Sequence, residues 1–155
     1  MTRRIRMLFG AIGLVFVLIQ VIPMQMKNPP ITRNVAAPPQ VEAILRRSCF
    51  DCHSNQTRWP WYAHVAPVSW LVARDVARGR EHINFSTWDK YSDDPETVIR
   101  KLRNIDKAMQ GATMPLWYYL PEHAEARLSD ADREAIEDWV MQSISSEDKR
   151  EQAQP

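Results

Sequence analysis

The residues best suited to chemistry are the two cysteines, which stand three positions apart and are followed directly by a histidine, as Cys49-Phe50-Asp51-Cys52-His53. Thiols at this spacing are close enough to form thioether bonds to both vinyl groups of one porphyrin, and the adjacent imidazole then lies beneath the iron. The motif predicts one covalently bound haem c per chain, attached through Cys49 and Cys52, with His53 as an axial iron ligand.

Three other uses of these residues are open. A disulfide between Cys49 and Cys52 would close a very small loop and add little stability. A thioredoxin-like redox pair requires a βαβ pattern that the chain lacks. A zinc site would need two further ligands, and no second pair of cysteines follows. Haem attachment is favoured because the motif holds both cysteines of the chain and follows a basic and apolar N-terminal segment that is typical of exported proteins.

The N-terminal residues 1–26 predict a membrane anchor. Residues 7–26 carry no charge, and as a helix they would be about 30 Å long, the thickness of a bilayer's hydrocarbon core. Arg3, Arg4 and Arg6 precede them, which predicts a single-pass inner-membrane protein with a cytoplasmic N-terminus and a periplasmic or extracellular remainder. A cleaved signal peptide is the alternative, but its small-residue site at 35–37 lies well beyond the apolar run.

Residues 27–39 hold four prolines and no apolar periodicity, which predicts an extended tether between the anchor and a domain at 40–145. A polar tail is expected at 146–155. The anchor holds three of the 20 Lys and Arg residues and none of the 19 Asp and Glu residues, so the rest has 17 basic against 19 acidic residues. This slightly acidic balance argues against a nucleic-acid partner.

The domain has helical periodicity throughout, and no segment alternates convincingly as a strand, so an all-α fold is expected. Apolar spacing from Val41 predicts a short amphipathic helix that ends at Cys49. A second helix is expected to begin at Pro67 and to close near Gly79, with three apolar residues facing inward. These are Leu71, Val72 and Val76.

Two further helices have clear start signals. One is expected from the N-cap Asp94 to Gly111, and the other from Ser129, which can form a capping box with Asp132. Their predicted buried stripes are Val98, Leu102, Ile105 and Met109 in the first, and Ala135, Ile136, Trp139 and Val140 in the second.

Several sequence blocks surround the cysteine motif. They are Cys49 to Asn55 (CFDCHSN) with Trp59-Pro60-Trp61-Tyr62, then Pro67-Val68-Ser69-Trp70, Gly79-Arg80, Asn84-Phe85-Ser86 with Trp88, and Met114-Pro115-Leu116-Trp117 with His123. With these blocks, the chain from about 41 to 143 resembles the haem-binding domain family of bacterial exported c-type cytochromes. The resemblance implies haem c binding and a small cytochrome c-like helical domain around one haem, but it does not identify a redox partner.

The second axial ligand is predicted from residue types. Met114 is preferred because it is a thioether donor in a loop beside Pro115, whereas Met109 continues a helical core stripe. The alternatives are His123, His64, His82 or an open position. Residues expected to pack on the porphyrin or to contact its propionates are Asn55, Arg58, Trp59, Trp61, Trp70, Trp88 and Trp117.

These features predict an electron carrier and not an enzyme. If both axial positions are filled, a substrate has no place at the iron, and no acid, base or nucleophile motif surrounds the haem loops. We expect redox protein partners in or near the membrane and no small-molecule substrate. A haem c peroxidase, a gas-binding or sensing haem domain, and a haem-bearing accessory subunit of a larger membrane complex are the alternatives.

Overall fold

Helices make up most of the computed structural model, which describes residues 2–153 of the chain. The α-helices are α1 (Arg3–Ile19), α2 (Pro39–Ser48), α3 (Phe50–His53), α4 (Val68–His82), α5 (Asp89–Ser92), α6 (Pro95–Gln110) and α7 (Asp130–Gln152). Two short 3-10 helices, Trp61–His64 and Ala124–Ala126, lie in the loops. Residues 2–153 contain no β-strand, only an isolated bridge between Arg33 and Thr87. The prediction of an all-α fold is confirmed.

The core lies where α6 and α7 pack against each other and against α2. The predicted stripe of α6 is buried at all four positions, and α7 buries three of its four predicted residues, while Ala135 is partly buried. Helix α2 adds Val41, Ile44 and Leu45 to the same core. Burying an aliphatic side chain of this size contributes about 1.5–3 kcal/mol. Helix α3, with the cysteine motif, packs against α2 of this core and against α4.

The ends of α6 and α7 follow the local start and stop signals. Helix α6 begins at Pro95 and ends before Gly111, as predicted. At the start of α7 the Ser129 hydroxyl accepts a hydrogen bond from the Asp132 backbone N–H at 3.2 Å, and the Asp132 carboxylate accepts one from the Ser129 backbone N–H at 2.9 Å. The capping box is confirmed. Helix α7 runs on to Gln152, so most of the expected polar tail is helical.

Helix α4 is longer than its sequence signals suggest. It begins directly after Pro67, as expected, but it continues through Gly79 to His82. Gly79 is buried inside the helix and does not end it. Of the residues expected to face inward, Val76 is buried, Val72 is half-buried and Leu71 is exposed.

The proline-rich segment at 27–39 packs along the domain. The backbone N–H groups of Thr32 and Val35 donate to the carbonyl groups of Ser86 and Phe85 at 3.0 and 2.8 Å, and the Val35 side chain is buried in the core. The Asn55 side chain donates to the Pro30 carbonyl at 2.8 Å. The segment is extended, as its composition predicts, but these bonds attach it to the domain, so it is not a free spacer.

The N-terminal apolar segment differs from the prediction. Helix α1 ends at Ile19, at roughly 26 Å in length, so the residues from 20 to 26 are not part of it. Pro23 has no backbone N–H to continue a helix, and the Gln20 side chain turns to the Ala66 backbone, donating to its carbonyl at 3.1 Å. Within residues 2–153, no helix is both long and apolar enough to cross a membrane. The predicted transmembrane helix is therefore not supported.

Candidate functional site

The cysteine motif is held in a sharp junction between two helices. Cys49 is the residue that separates α2 from α3, and one helical turn brings Cys52 and His53 back over it, with the His53 N–H bonded to the Cys49 carbonyl at 2.9 Å. Both thiols are free, so the alternative of a disulfide is not formed. Burial raises the pKa of Cys49 and of Cys52 to about 12. A redox-active thiol pair requires a lowered pKa, so the thioredoxin-like alternative is disfavoured.

The orientation of His53 is fixed by two backbone carbonyl groups. Its Nδ1 lies 2.9 Å from the Gly79 carbonyl oxygen and 3.3 Å from that of Ile83. A carbonyl only accepts hydrogen bonds, so Nδ1 must carry the proton. Burial lowers the pKa of His53, which favours the neutral ring. In that tautomer Nε2 has a free lone pair, as a metal-ligating imidazole requires.

Gly79 allows α4 to approach the motif closely. A Cβ atom built on Gly79 would lie 2.4 Å from the Cys52 carbonyl oxygen and 3.0 Å from its carbon. Contacts of that length do not occur between real side chains and backbone, so a larger residue would push the two helices apart. The same glycine supplies the carbonyl that orients His53, so its small size and its hydrogen bond serve one purpose.

A cavity of about 810 Å³ opens beside the motif. Cys49, Cys52 and His53 line it together, and its volume lies in the range of about 300–1,000 Å³ that is usual for bound cofactors and ligands. Much of its wall is apolar. This part of the wall includes Leu45, Ile83, Phe85, Ile105, Met109, Leu116 and Ile136.

Met114 lies in the wall of the same cavity as His53. It follows α6 by a short loop, is half-buried and packs against the core. Met109 also borders the cavity, but it is almost fully buried in the α6 stripe, the core position that the sequence predicts. A thioether on a loop segment that lines the cavity is available as a ligand, whereas Met109 is held in the core packing.

The histidines considered as alternatives are placed less favourably. His123 does not line the main cavity: its Nε2 lies 2.6 Å from the Tyr62 hydroxyl, and its ring stacks on Tyr119 at 4.0 Å. His64 lies in a 3-10 helix and lines neither this cavity nor a second, smaller one. His82 does border the main cavity, but it is exposed at the end of α4.

A comparison with protein-family models identifies the class of domain. The family described as the haem-binding domain matches residues 14–142, which is most of the chain. The chain is a member of the haem-binding domain family. No curated protein and no solved structure gives a significant match. As a member of that family, the protein binds haem.

The donor groups of this haem-binding domain fit its cofactor. Two adjacent thiols, one neutral imidazole with a free Nε2 and one thioether share a largely apolar cavity. Thioether attachment would use the two thiols, and the imidazole and the thioether would be available as axial iron ligands. Among residues 2–153, no group of three or more His, Cys, Asp and Glu side chains is arranged to hold a metal ion.

The tryptophans expected to pack on the porphyrin do not line the main cavity. Trp61 and Trp117 are 75% and 80% exposed, and Trp88 stacks on Phe85 and packs, partly buried, against the core. Trp59 is half-buried, and the Trp70 indole nitrogen is buried without a hydrogen-bond partner in the described part of the chain. Trp61 borders the second, smaller cavity. Contact of these tryptophans with the porphyrin therefore stays a prediction.

Asn55 and Arg58, expected near the propionates, have structural roles. Asn55 is buried and bonds to the Pro30 carbonyl and to Asn84, and Arg58 pairs with Asp51. The cationic side chains that do line the cavity include Arg78 and Lys107, for which no ion pair is found within residues 2–153. Nothing in the local sequence distinguished these two from other surface cations.

Sequence reasoning also missed two carboxylate groups beside the cavity. Asp51, between the two cysteines, is buried and accepts hydrogen bonds from the Arg58 backbone N–H at 3.0 Å and from the Tyr119 hydroxyl at 2.8 Å. Asp75 on α4 accepts one from Tyr118 at 2.9 Å. Burial, and then the Asp51 charge, raise the pKa of Tyr119, so it remains a neutral donor. These groups also border a second cavity of about 330 Å³.

Proposed function

We propose that this protein is a mono-haem c-type cytochrome that transfers single electrons. Cys49 and Cys52 would form the thioether bonds, His53 would be the fifth iron ligand and Met114 the sixth. The observation that carries the proposal is that all four side chains line one largely apolar cavity of about 810 Å³.

The protein's own groups would prepare the site for its cofactor. The two thiols are reduced, and His53 is oriented by its Nδ1–H bonds to the backbone of α4 and of the residue after it. A hydrogen bond from the ring nitrogen that does not bind the metal fixes the tautomer and the ring plane of a ligating histidine. The haem supplies the one-electron chemistry when it is bound.

Met114 decides between an electron carrier and an open haem. With a thioether on the sixth position, neither a peroxide nor a diatomic gas has direct access to the iron. The apolar wall limits water around the site, and Met ligation together with burial raises the reduction potential.

We also propose that the domain works on the outer side of the cytoplasmic membrane, with redox proteins as partners. Arg3, Arg4 and Arg6 lie in the first turn of α1, before its apolar residues, and a basic start followed by an apolar run is typical of an export signal. Protease added to intact spheroplasts should then digest the haem domain while a cytoplasmic marker survives. Protection of the domain to the same extent as that marker would place it in the cytoplasm and would contradict this part of the proposal.

The sixth ligand is tested by spectroscopy of the purified haem protein. The ferric wild type should show the weak sulfur-to-iron band in the near-infrared, and the reduced wild type should bind carbon monoxide slowly or not at all. Met114→Ala should abolish the band, lower the potential and admit carbon monoxide. Rapid carbon monoxide binding by the wild type would instead support a gas-binding or peroxidase-like haem, and an effect of His123→Ala alone would assign the ligand to His123.

A further inference from the structure

The segment directly after Met114 and Pro115 ends in two adjacent tyrosines. Although they are neighbours, their hydroxyl groups donate to different parts of the domain: Tyr119 to Asp51 at 2.8 Å and Tyr118 to Asp75 at 2.9 Å. These partners are 68 and 43 residues away along the chain. The hydrogen bonds therefore connect the Met114 segment to distant elements and not to its own loop.

Both acceptors belong to the elements that hold His53. Asp51 is part of α3, between the two cysteines, and its carboxylate is also fixed by Arg58. Asp75 lies on α4 one turn before Gly79, whose carbonyl group orients the His53 ring. Hence one hydroxyl attaches the Met114 segment to the turn that carries the fifth ligand, and the other attaches it to the helix that orients this ligand.

The acceptors are charged and poorly solvated, which makes the bonds strong. The Asp51 and Asp75 side chains are only 11% and 13% exposed. A hydrogen bond from a neutral donor to a carboxylate in such a position is about twice as strong as one between neutral groups. Asp51 and Asp75 also pair with Arg58 and Arg74, so each carboxylate has a second partner besides its tyrosine.

We propose that Tyr118 and Tyr119 form a clamp that keeps the Met114 segment closed against the side of the cavity that carries His53. This proposal rests on the proposed function, in which Met114 is an iron ligand. The clamp would hold that weak thioether ligand in position. The two tyrosines are positioning residues that act through the segment and not through contact with iron.

The hydroxyl groups can be removed without changing the packing of the rings. Tyr119 stacks on His123, with ring centroids 4.0 Å apart and planes 8° apart, and phenylalanine keeps this contact. Tyr119→Phe and Tyr118→Phe are therefore the test variants. Tyr91→Phe is the matched control, because the Tyr91 hydroxyl accepts a hydrogen bond from the Asn84 N–H at 3.2 Å and its side chain lines neither cavity.

The readout is the rate at which the reduced haem protein binds carbon monoxide, since the gas enters only when the sixth ligand leaves. Loss of one hydrogen bond to a carboxylate should raise the fraction of molecules in which Met114 has left the iron by about tenfold, and the rate should rise by the same factor. The double variant should open further, and the near-infrared band of the ferric protein should be lost at a lower temperature. Tyr91→Phe should behave like the wild type in both measurements.

Met114→Ala separates failure of the clamp from failure of the proposed ligand. If Met114→Ala opens the haem but both tyrosine variants match Tyr91→Phe, the clamp is wrong and the ligand assignment stands. If Met114→Ala leaves the band and the rate at wild-type values, both are wrong. A higher rate for the tyrosine variants supports the clamp if adding Asp51→Asn to Tyr119→Phe raises the rate by less than the product of the two single effects. Fully independent effects of the two substitutions overturn it, because they would mean that the hydroxyl does not act through Asp51.

Discussion

Gly79→Ala should weaken both the fold and the orientation of His53. In a helix interior, alanine is favoured over glycine by about 1 kcal/mol, so the propensity of α4 alone would make this change stabilising. The new Cβ, however, would lie 2.4 Å from the Cys52 carbonyl oxygen. Neither atom can move away without a shift of the backbone to which it is attached. Overpacking of this kind costs about 1–3 kcal/mol, and a contact so short belongs at the upper end. We therefore expect a net loss of about 2 kcal/mol.

The assay is urea unfolding of the ferric haem protein, followed in parallel by its absorption spectrum. For a slope typical of a small domain, a loss of 2 kcal/mol lowers the midpoint by about 1 M. The spectrum should also shift, since separating α4 from α3 lengthens the hydrogen bond from His53 Nδ1 to the Gly79 carbonyl.

Ala77→Gly, at an exposed position of the same helix, is the control. It should destabilise by about 1 kcal/mol through propensity alone and leave the spectrum unchanged. Stabilisation by Gly79→Ala, with an unaltered spectrum, would refute the reasoning about close approach.

Three further substitutions test the fold and the electrostatics. Met109→Ala should destabilise by about 2–5 kcal/mol while keeping the near-infrared band, and loss of the band would make Met109 the ligand. Asp132→Ala should cost about 1 kcal/mol at pH 7 in urea unfolding, since the group caps α7 and pairs with Arg47. Burial alone would raise the pKa of Asp132, but the hydrogen bonds from Ser129 and Arg47 lower it overall. The stability that Asp132 contributes is therefore present above about pH 4 and is lost as the pH falls through the depressed pKa. An equal cost at pH 3 and pH 7 would contradict that assignment. Arg78 lines the cavity and Arg103 does not, so Arg78→Gln removes a positive charge near the haem and should lower the reduction potential more than Arg103→Gln. Equal potentials for the two variants would exclude an effect of Arg78 on the haem.

The parts of the fold that could be predicted are those with local causes. The stripe of α6, its start at Pro95 and the capping box of Ser129 and Asp132 depend on residues within a few positions of one another. The cysteine motif is likewise local, and Met114, preferred as a ligand for its loop position, lines the same cavity.

The parts that could not be predicted depend on pairs far apart in the chain. Gly79 gives the same signal whether it ends a helix or permits a close approach, and only the position of Cys52 decides between them. The Tyr119 bond to Asp51 spans 68 residues, and neither residue type suggests the other. The aromatic content of the loops likewise did not indicate that Trp61 and Trp117 are exposed.

An intact-mass measurement under denaturing conditions shows whether haem is covalently bound to Cys49 and Cys52. Thioether bonds survive denaturation, whereas haem held only by axial ligands is released. The wild-type polypeptide should carry the added mass of one haem, and the Cys49→Ala, Cys52→Ala double variant should have the mass of the bare chain. A wild-type protein that contains haem in its native state but has the bare mass once denatured would contradict the claim, as would a double variant that keeps the added mass.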